Sequence, residues 1–129
     1  MSRTLYFDAF SGLSGDMLLG AFIELGLDLE ALSDALSCLD LGGWSLSQTS
    51  VLRQGVAATH VSVNLETPQR HHRTYADIRR LINSAPLSPT VSEKALGVFE
   101  VLAHAESQIH GQPINEVHFH EVGCVDSII

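Results

Sequence analysis

The segment His118-Phe119-His120-Glu121 sets two imidazoles two residues apart, with a carboxylate beside the second. In an extended strand, residues i and i+2 point to one face, so His118 and His120 project together while Phe119 packs opposite. Paired imidazoles are borderline-soft donors that suit nickel, zinc or copper, and Glu121 and Asp126 stand close enough in sequence to complete or back the ligand set. The alternative is a pair of imidazoles hydrogen-bonded on a polar sheet face. Just upstream, Glu106 and His110 are four apart and share one helix face. They could supply two ligands, or a carboxylate that orients an imidazole; a surface pair near a helix C-terminus has the same spacing.

A third group begins with Asp8, continues through the small-residue loop holding Ser11, Gly12, Ser14 and Gly15, and ends at Asp16. Backbone N–H groups at a helix N-terminus attract anions, and carboxylates there can hold a cation that bridges to them, so these residues read as a phosphate or metal cradle. No Lys follows the second glycine, which excludes a Walker A loop. An N-capped helix after a tight turn accounts for the same residues. In the fourth group, Arg70 and Arg73 bracket His71 and His72. The arginines could clamp a phosphate or carboxylate while the histidines act as transient metal ligands, against the plainer reading of a solvated basic loop. No nucleophile and base stand together, for Ser11 and Ser14 have no histidine near in sequence. Cys38 and Cys124 are too far apart to form a local metal clip, and no structural disulfide is expected.

The elements that must position these residues can be read from periodicity and punctuation. Residues 3–8 predict a short strand ending on Asp8, and the apolar spacing of Met17, Leu18, Ala21, Phe22 and Leu25 predicts a helix over 15–26, capped by Ser14 and stopped by Gly26. Asp28 opens a second amphipathic helix with Leu29, Leu32, Leu36 and Leu39 on one face, ending near Gly42 and Gly43. From Gly43 to Glu66 the period becomes two, which predicts an antiparallel hairpin turning at Gln54-Gly55. Residues 67–73 read as a surface loop. Thr74 caps a helix over 75–85; Ser88, with Pro89 at the first helical position, opens the longest helix, 89–110, closed by Gly111. A short alternating strand over 115–120, a turn at Gly123 and a helix opening at Asp126 follow. The order predicts an α+β fold: a small mixed or antiparallel sheet of about four strands with helices packed on one face, a ferredoxin-like arrangement being one candidate. If the first and last strands are neighbours, Asp8 lies near His118.

The 129 residues are 45% hydrophobic and 17% charged, which excludes a disordered chain and fits one globular domain. Seven Lys and Arg against fifteen Asp and Glu give a net charge of −8, which repels nucleic acid and anionic membranes. No apolar run approaches the roughly 20 residues of a bilayer span, and the N-terminus lacks a secretory apolar stretch. The expectation is a soluble, cytoplasmic protein with neither nucleic acid nor membrane as partner.

Three stretches, FDAFSGLSGDMLLGAFIELG, AESQIHG and HFHEVGCVDSI, resemble the N-terminal part of the LarC-type nickel insertion proteins, and HHRTYADIRRLI resembles the family's histidine-plus-ADI segment. They occur in the family's order over residues 4–128. Family proteins are about three times longer, so the resemblance implies that residues 1–129 form a single N-terminal domain whose C-terminal, nucleotide-binding part is missing. It implies an enzyme of the lyase class that inserts nickel into a sulfurated pyridinium mononucleotide. The product is the nickel-pincer cofactor of lactate racemase-type enzymes, and CTP is consumed with Mg or Mn, bound outside this part. In that reading the partners are the pyridinium mononucleotide and the C-terminal domain, a homo-oligomer is compatible with it, and the N-terminal part alone is expected to be inactive.

Carried onto the four groups, the resemblance implies that His118, His120, Glu121 and Asp126 hold nickel in transit, supported by Glu106 and His110. Asp8 and Asp16, with the loop from Ser11 to Gly15, would bind a second divalent ion or the substrate phosphate. His71 and His72 would deliver metal. A non-catalytic nickel- or zinc-binding metallochaperone is the competing reading, and a phosphohydrolase-like Mg site on Asp8 and Asp16 a third, for which no acid and base can be named.

Overall fold

The computed structural model describes residues 4–66, 73–119 and 122–129. Its elements in chain order are α1 (Gly15–Glu24), α2 (Leu29–Leu36), β1 (Trp44–Arg53), β2 (Val56–Leu65), α3 (Tyr75–Ser84), α4 (Pro89–His110), a 3-10 turn (Ile114–Glu116) and α5 (Val125–Ile128). The local signals place most of these boundaries. Asp28 accepts the Ala31 N–H at the start of α2, and Ser88 accepts the Val91 N–H at the start of α4, whose first residue is Pro89. α3 carries a reciprocal cap: Thr74 Oγ1 accepts the Asp77 N–H at 3.1 Å, and Asp77 Oδ2 accepts the Thr74 N–H at 3.1 Å. Gly111 ends α4 in the left-handed region, at φ 63°.

β1 and β2 pair antiparallel from Trp44↔Leu65 to Arg53↔Val56, leaving Gln54 and Gly55 as a two-residue turn with φ of 49° and 83°. Positive φ at both central residues matches the twist of the flanking strands. A lone hairpin is marginal in water, and here α1 packs against β2 and α2 against β1.

The expected sheet of about four strands is, among the described residues, a two-stranded hairpin within an α+β fold, so the ferredoxin-like arrangement is not seen. Residues 4–9 carry no strand pairing. Residues 115–119 form the end of the 3-10 turn and then one antiparallel bridge, His118 to Thr74. A strand needs a partner of matching length, and the partner of His118 enters α3 one residue later, which ends the ladder. Val117 and Phe119 are buried and His118 is exposed, while the joint projection of His118 with His120 lies outside the described residues.

Among the described residues, most buried hydrophobic side chains fall into two clusters. The larger gathers Tyr75, Ile78 and Ile82 of α3 with Phe99 and Ala103 of α4 and with Val117 and Phe119. The Phe99 and Phe119 rings lie 6.1 Å apart at 55°. The smaller joins Leu39 and Leu41 to Val125 of α5. Among the described residues no helix is long and apolar enough to cross a membrane.

Candidate functional site

The loop of the third group turns at Gly12, at φ 94°, where the Gly12 N–H donates to the Ala9 carbonyl at 3.0 Å. Ser14 follows in extended conformation as the N-cap of α1, but its side chain makes no capping bond. Its hydroxyl donates instead to Asp16 Oδ1. That bond is the main cause holding the Asp16 carboxyl below the ordinary aspartate range; burial opposes it, while the N–H groups of Met17 and Asp16 and the His60 imidazole add to it. The other carboxylate oxygen, Oδ2, lies 3.8 Å from His60 Nδ1, and both side chains are about half exposed.

His60 was not among the residues singled out from sequence. Strand alternation places it on β2 with Ser62 and Asn64, yet nothing local says that α1 crosses there. The crossing depends on Gly20, the one buried residue of α1, whose missing side chain lets the helix approach; a Cβ at that position would run into the Thr59 carbonyl oxygen.

Asp16 and His60 sit on one wall of an open, largely apolar groove of about 790 Å³. The groove is lined by Leu18, Leu19 and Phe22 of α1, by residues of β2, by Val98, Phe99 and Leu102 of α4, and by Val122 and α5, Asp126 among them. The glycine-loop and HFHEVGCVDSI segments, far apart in sequence, therefore face one space through Asp16 and Asp126. Asp8 does not line it.

The other groups are arranged as follows. His118 is exposed beside Thr74. His120 and Glu121 lie outside the described residues, as do Arg70, His71 and His72. Arg73 ties the fourth group to the first: its guanidinium donates to the Gly123 carbonyl at 3.3 Å, and its own carbonyl accepts the Phe119 N–H at 3.4 Å. The approach is close enough that a Cβ on Gly123 would meet the Phe119 carbonyl oxygen at 2.9 Å. On α4, Glu106 Oε2 and His110 Nε2 are 3.2 Å apart, the pairing that their spacing anticipates. Among the described residues no three His, Cys, Asp or Glu side chains converge as a metal-ligand set.

The features define an α+β fold in which one imidazole, His60, and two carboxylates, Asp16 and Asp126, line a largely apolar groove. The chain belongs to the nickel insertion protein family, whose model matches residues 5–129. It is 45% identical over 130 residues to a "Putative nickel insertion protein" of Roseiflexus castenholzii, covering all of this chain and 32% of that protein. To proteins of the same name it is 49% identical in Wolinella succinogenes, over 98% of this chain and 33% of that one, and 49% identical in Thermomicrobium roseum, over 98% and 31%. The chain thus spans about a third of the length of these relatives. No solved structure matches it.

Proposed function

We propose that this chain is the metal-handling N-terminal part of an enzyme that inserts nickel into a sulfurated pyridinium mononucleotide, forming the nickel-pincer cofactor of lactate racemase-type enzymes. Family membership supports the nickel insertion role. The observation that carries the site is that the glycine-loop and HFHEVGCVDSI segments meet at one groove, through Asp16 and Asp126. The described donors lining it are the His60 imidazole and the Asp16 and Asp126 carboxylates; imidazole and carboxylate ligands bind nickel loosely enough to surrender it to substrate sulfurs, whereas an all-thiolate site would retain it. The two cysteines, Cys38 and Cys124, are unbridged and, among the described residues, belong to no metal-ligand cluster.

In this reading His118, His120 and Glu121 receive nickel, with Asp126 beside them and Glu106 and His110 in support. Asp8 and Asp16 with the Ser11–Gly15 loop take a second divalent ion or the substrate phosphate; Arg70 and Arg73 clamp an anionic group, and His71 and His72 deliver metal. CTP with Mg or Mn is consumed on the C-terminal part, making the whole a cytoplasmic lyase-class chelatase whose N-terminal third is inactive alone. Calorimetric titration of nickel into the chain, with and without a pyridinium mononucleotide analogue, tests the assignment. Stoichiometric binding that tightens with the analogue and is lost in His118→Ala/His120→Ala is expected. Binding indifferent to the analogue would point to a non-catalytic metallochaperone, and full affinity in the double variant would defeat the ligand assignment.

A further inference from the structure

His60 has no role in the proposed function, yet its Nδ1 lies 3.8 Å from Asp16 Oδ2. That separation is too long for a hydrogen bond and falls within the roughly 3–4 Å between two donors on one first-row ion, each about 2.1 Å from it. The two side chains come from distant elements, and their meeting is fixed through Thr59, the residue before His60. The Thr59 carbonyl packs against Gly20 of α1, where a Cβ would collide with it, and the Thr59 hydroxyl donates to Glu24 Oε1 at the end of the same helix. The Ser14 hydroxyl engages Asp16 Oδ1, which leaves Oδ2 as the oxygen beside His60. That bond also holds the carboxyl below the ordinary aspartate range, so Asp16 is charged at neutrality. Both side chains are about half exposed in the groove that Asp126 also lines, and a net charge of −8 draws cations toward the protein.

We propose that Asp16 and His60 together bind a divalent first-row metal ion, with Asp16 Oδ2 and His60 Nδ1 as its two protein ligands. The inference rests on the proposed function, in which Asp16 takes a second divalent ion, and it names the other ligand of that ion. His60 lines the groove beside Asp16, whereas Asp8 does not line it. Among the described residues no third His, Cys, Asp or Glu joins the pair. Ions held by one or two protein groups take water and substrate oxygens as their remaining ligands, so a phosphate-bearing substrate reaches the Asp16 carboxylate through the ion, which relieves the repulsion of like charges. One imidazole beside one carboxylate disfavours magnesium and calcium, which take oxygen ligands.

Manganese(II) alone is the probe, because its free form is counted directly by electron paramagnetic resonance. The 129-residue chain carrying His118→Ala/His120→Ala, which lacks two of the assigned nickel ligands, should still bind one Mn2+ ion. Adding His60→Ala or Asp16→Asn to it should weaken that binding at least about tenfold, the low end of what loss of even a supporting residue costs a metal site. In the same chain with His60 intact, substoichiometric Mn2+ should broaden the His60 ring signals before the indole signal of Trp44, which lies further along β1 from Thr49, the partner of His60. Failure to bind Mn2+, or an affinity that His60→Ala leaves unchanged, would overturn the inference. If Asp16→Asn alone weakens binding, the inference falls while the role of Asp16 in the proposed function stands. The nickel assignment is read separately, since it fails if His118→Ala/His120→Ala retains full affinity for Ni2+.

Discussion

The two sides of α4 are built from similar residues and end in different states. On one side, α3, Val117 and Phe119 close over Phe99 and Ala103, and Ile78 and Phe119 are fully buried. On the other, Val98 lines the groove and is 61% exposed, and the segment leading into α1 exposes Tyr6 and Phe10, the latter to 91%. Hydrophobic composition is therefore no guide to burial by itself. Burial needs a covering element with its own anchorage, which the reciprocal cap of α3 and the Thr74–His118 bridge supply on the closed side.

The contrast breaks most visibly at the two phenylalanines. Phe119→Ala should cost about 3–5 kcal/mol in urea unfolding, because it empties the closed cluster, whereas Phe10→Ala should stay within about 0.5 kcal/mol in the 129-residue chain. A comparable loss at Phe10 would mean that the N-terminal segment is packed after all.

Two helical glycines sharpen the same comparison with opposite signs. At Gly20 an added methyl meets the Thr59 backbone, so Gly20→Ala should destabilise by about 1–3 kcal/mol despite its better helix propensity. At Gly97 of α4 nothing lies within 4 Å of the added Cβ. Gly97→Ala should therefore stabilise by about 0.5–1 kcal/mol, read as a raised denaturation midpoint.

The smallest effect separates the N-termini of α1 and α3. Thr74→Ala removes a true cap and should cost about 1 kcal/mol near neutrality; Ser14→Ala, whose hydroxyl caps nothing, should cost less. The Asp77 carboxyl is held low chiefly by the Thr74 hydroxyl and the Thr74 N–H, with burial opposing and Arg80 assisting. A folded pKa below the unfolded value contributes stability above the unfolded pKa that is lost as pH falls through the folded one. The Thr74→Ala penalty should accordingly shrink in acid, which urea midpoints across the acidic range would reveal.

The sequence alone was sufficient wherever structure is decided within a few residues. Ser88-Pro89 and Gly111 bound α4 at both ends, Thr74 and Asp77 open α3, and Gln54-Gly55 turns the hairpin, because caps, fixed φ and left-handed turns act over one to four residues. The Glu106–His110 pair was legible for the same reason, four residues being one helical turn. Tertiary structure decided the rest. Residues 4–8 and 115–119 have strand-like composition, but a strand exists only through a ladder partner distant in sequence, and among the described residues neither segment meets one long enough. His60 reaches Asp16 only because Gly20 lets α1 down onto β2, and Asp126 shares a groove with Asp16 only because α5 ends that groove. Such meetings depend on how helices cross, which no local spacing encodes.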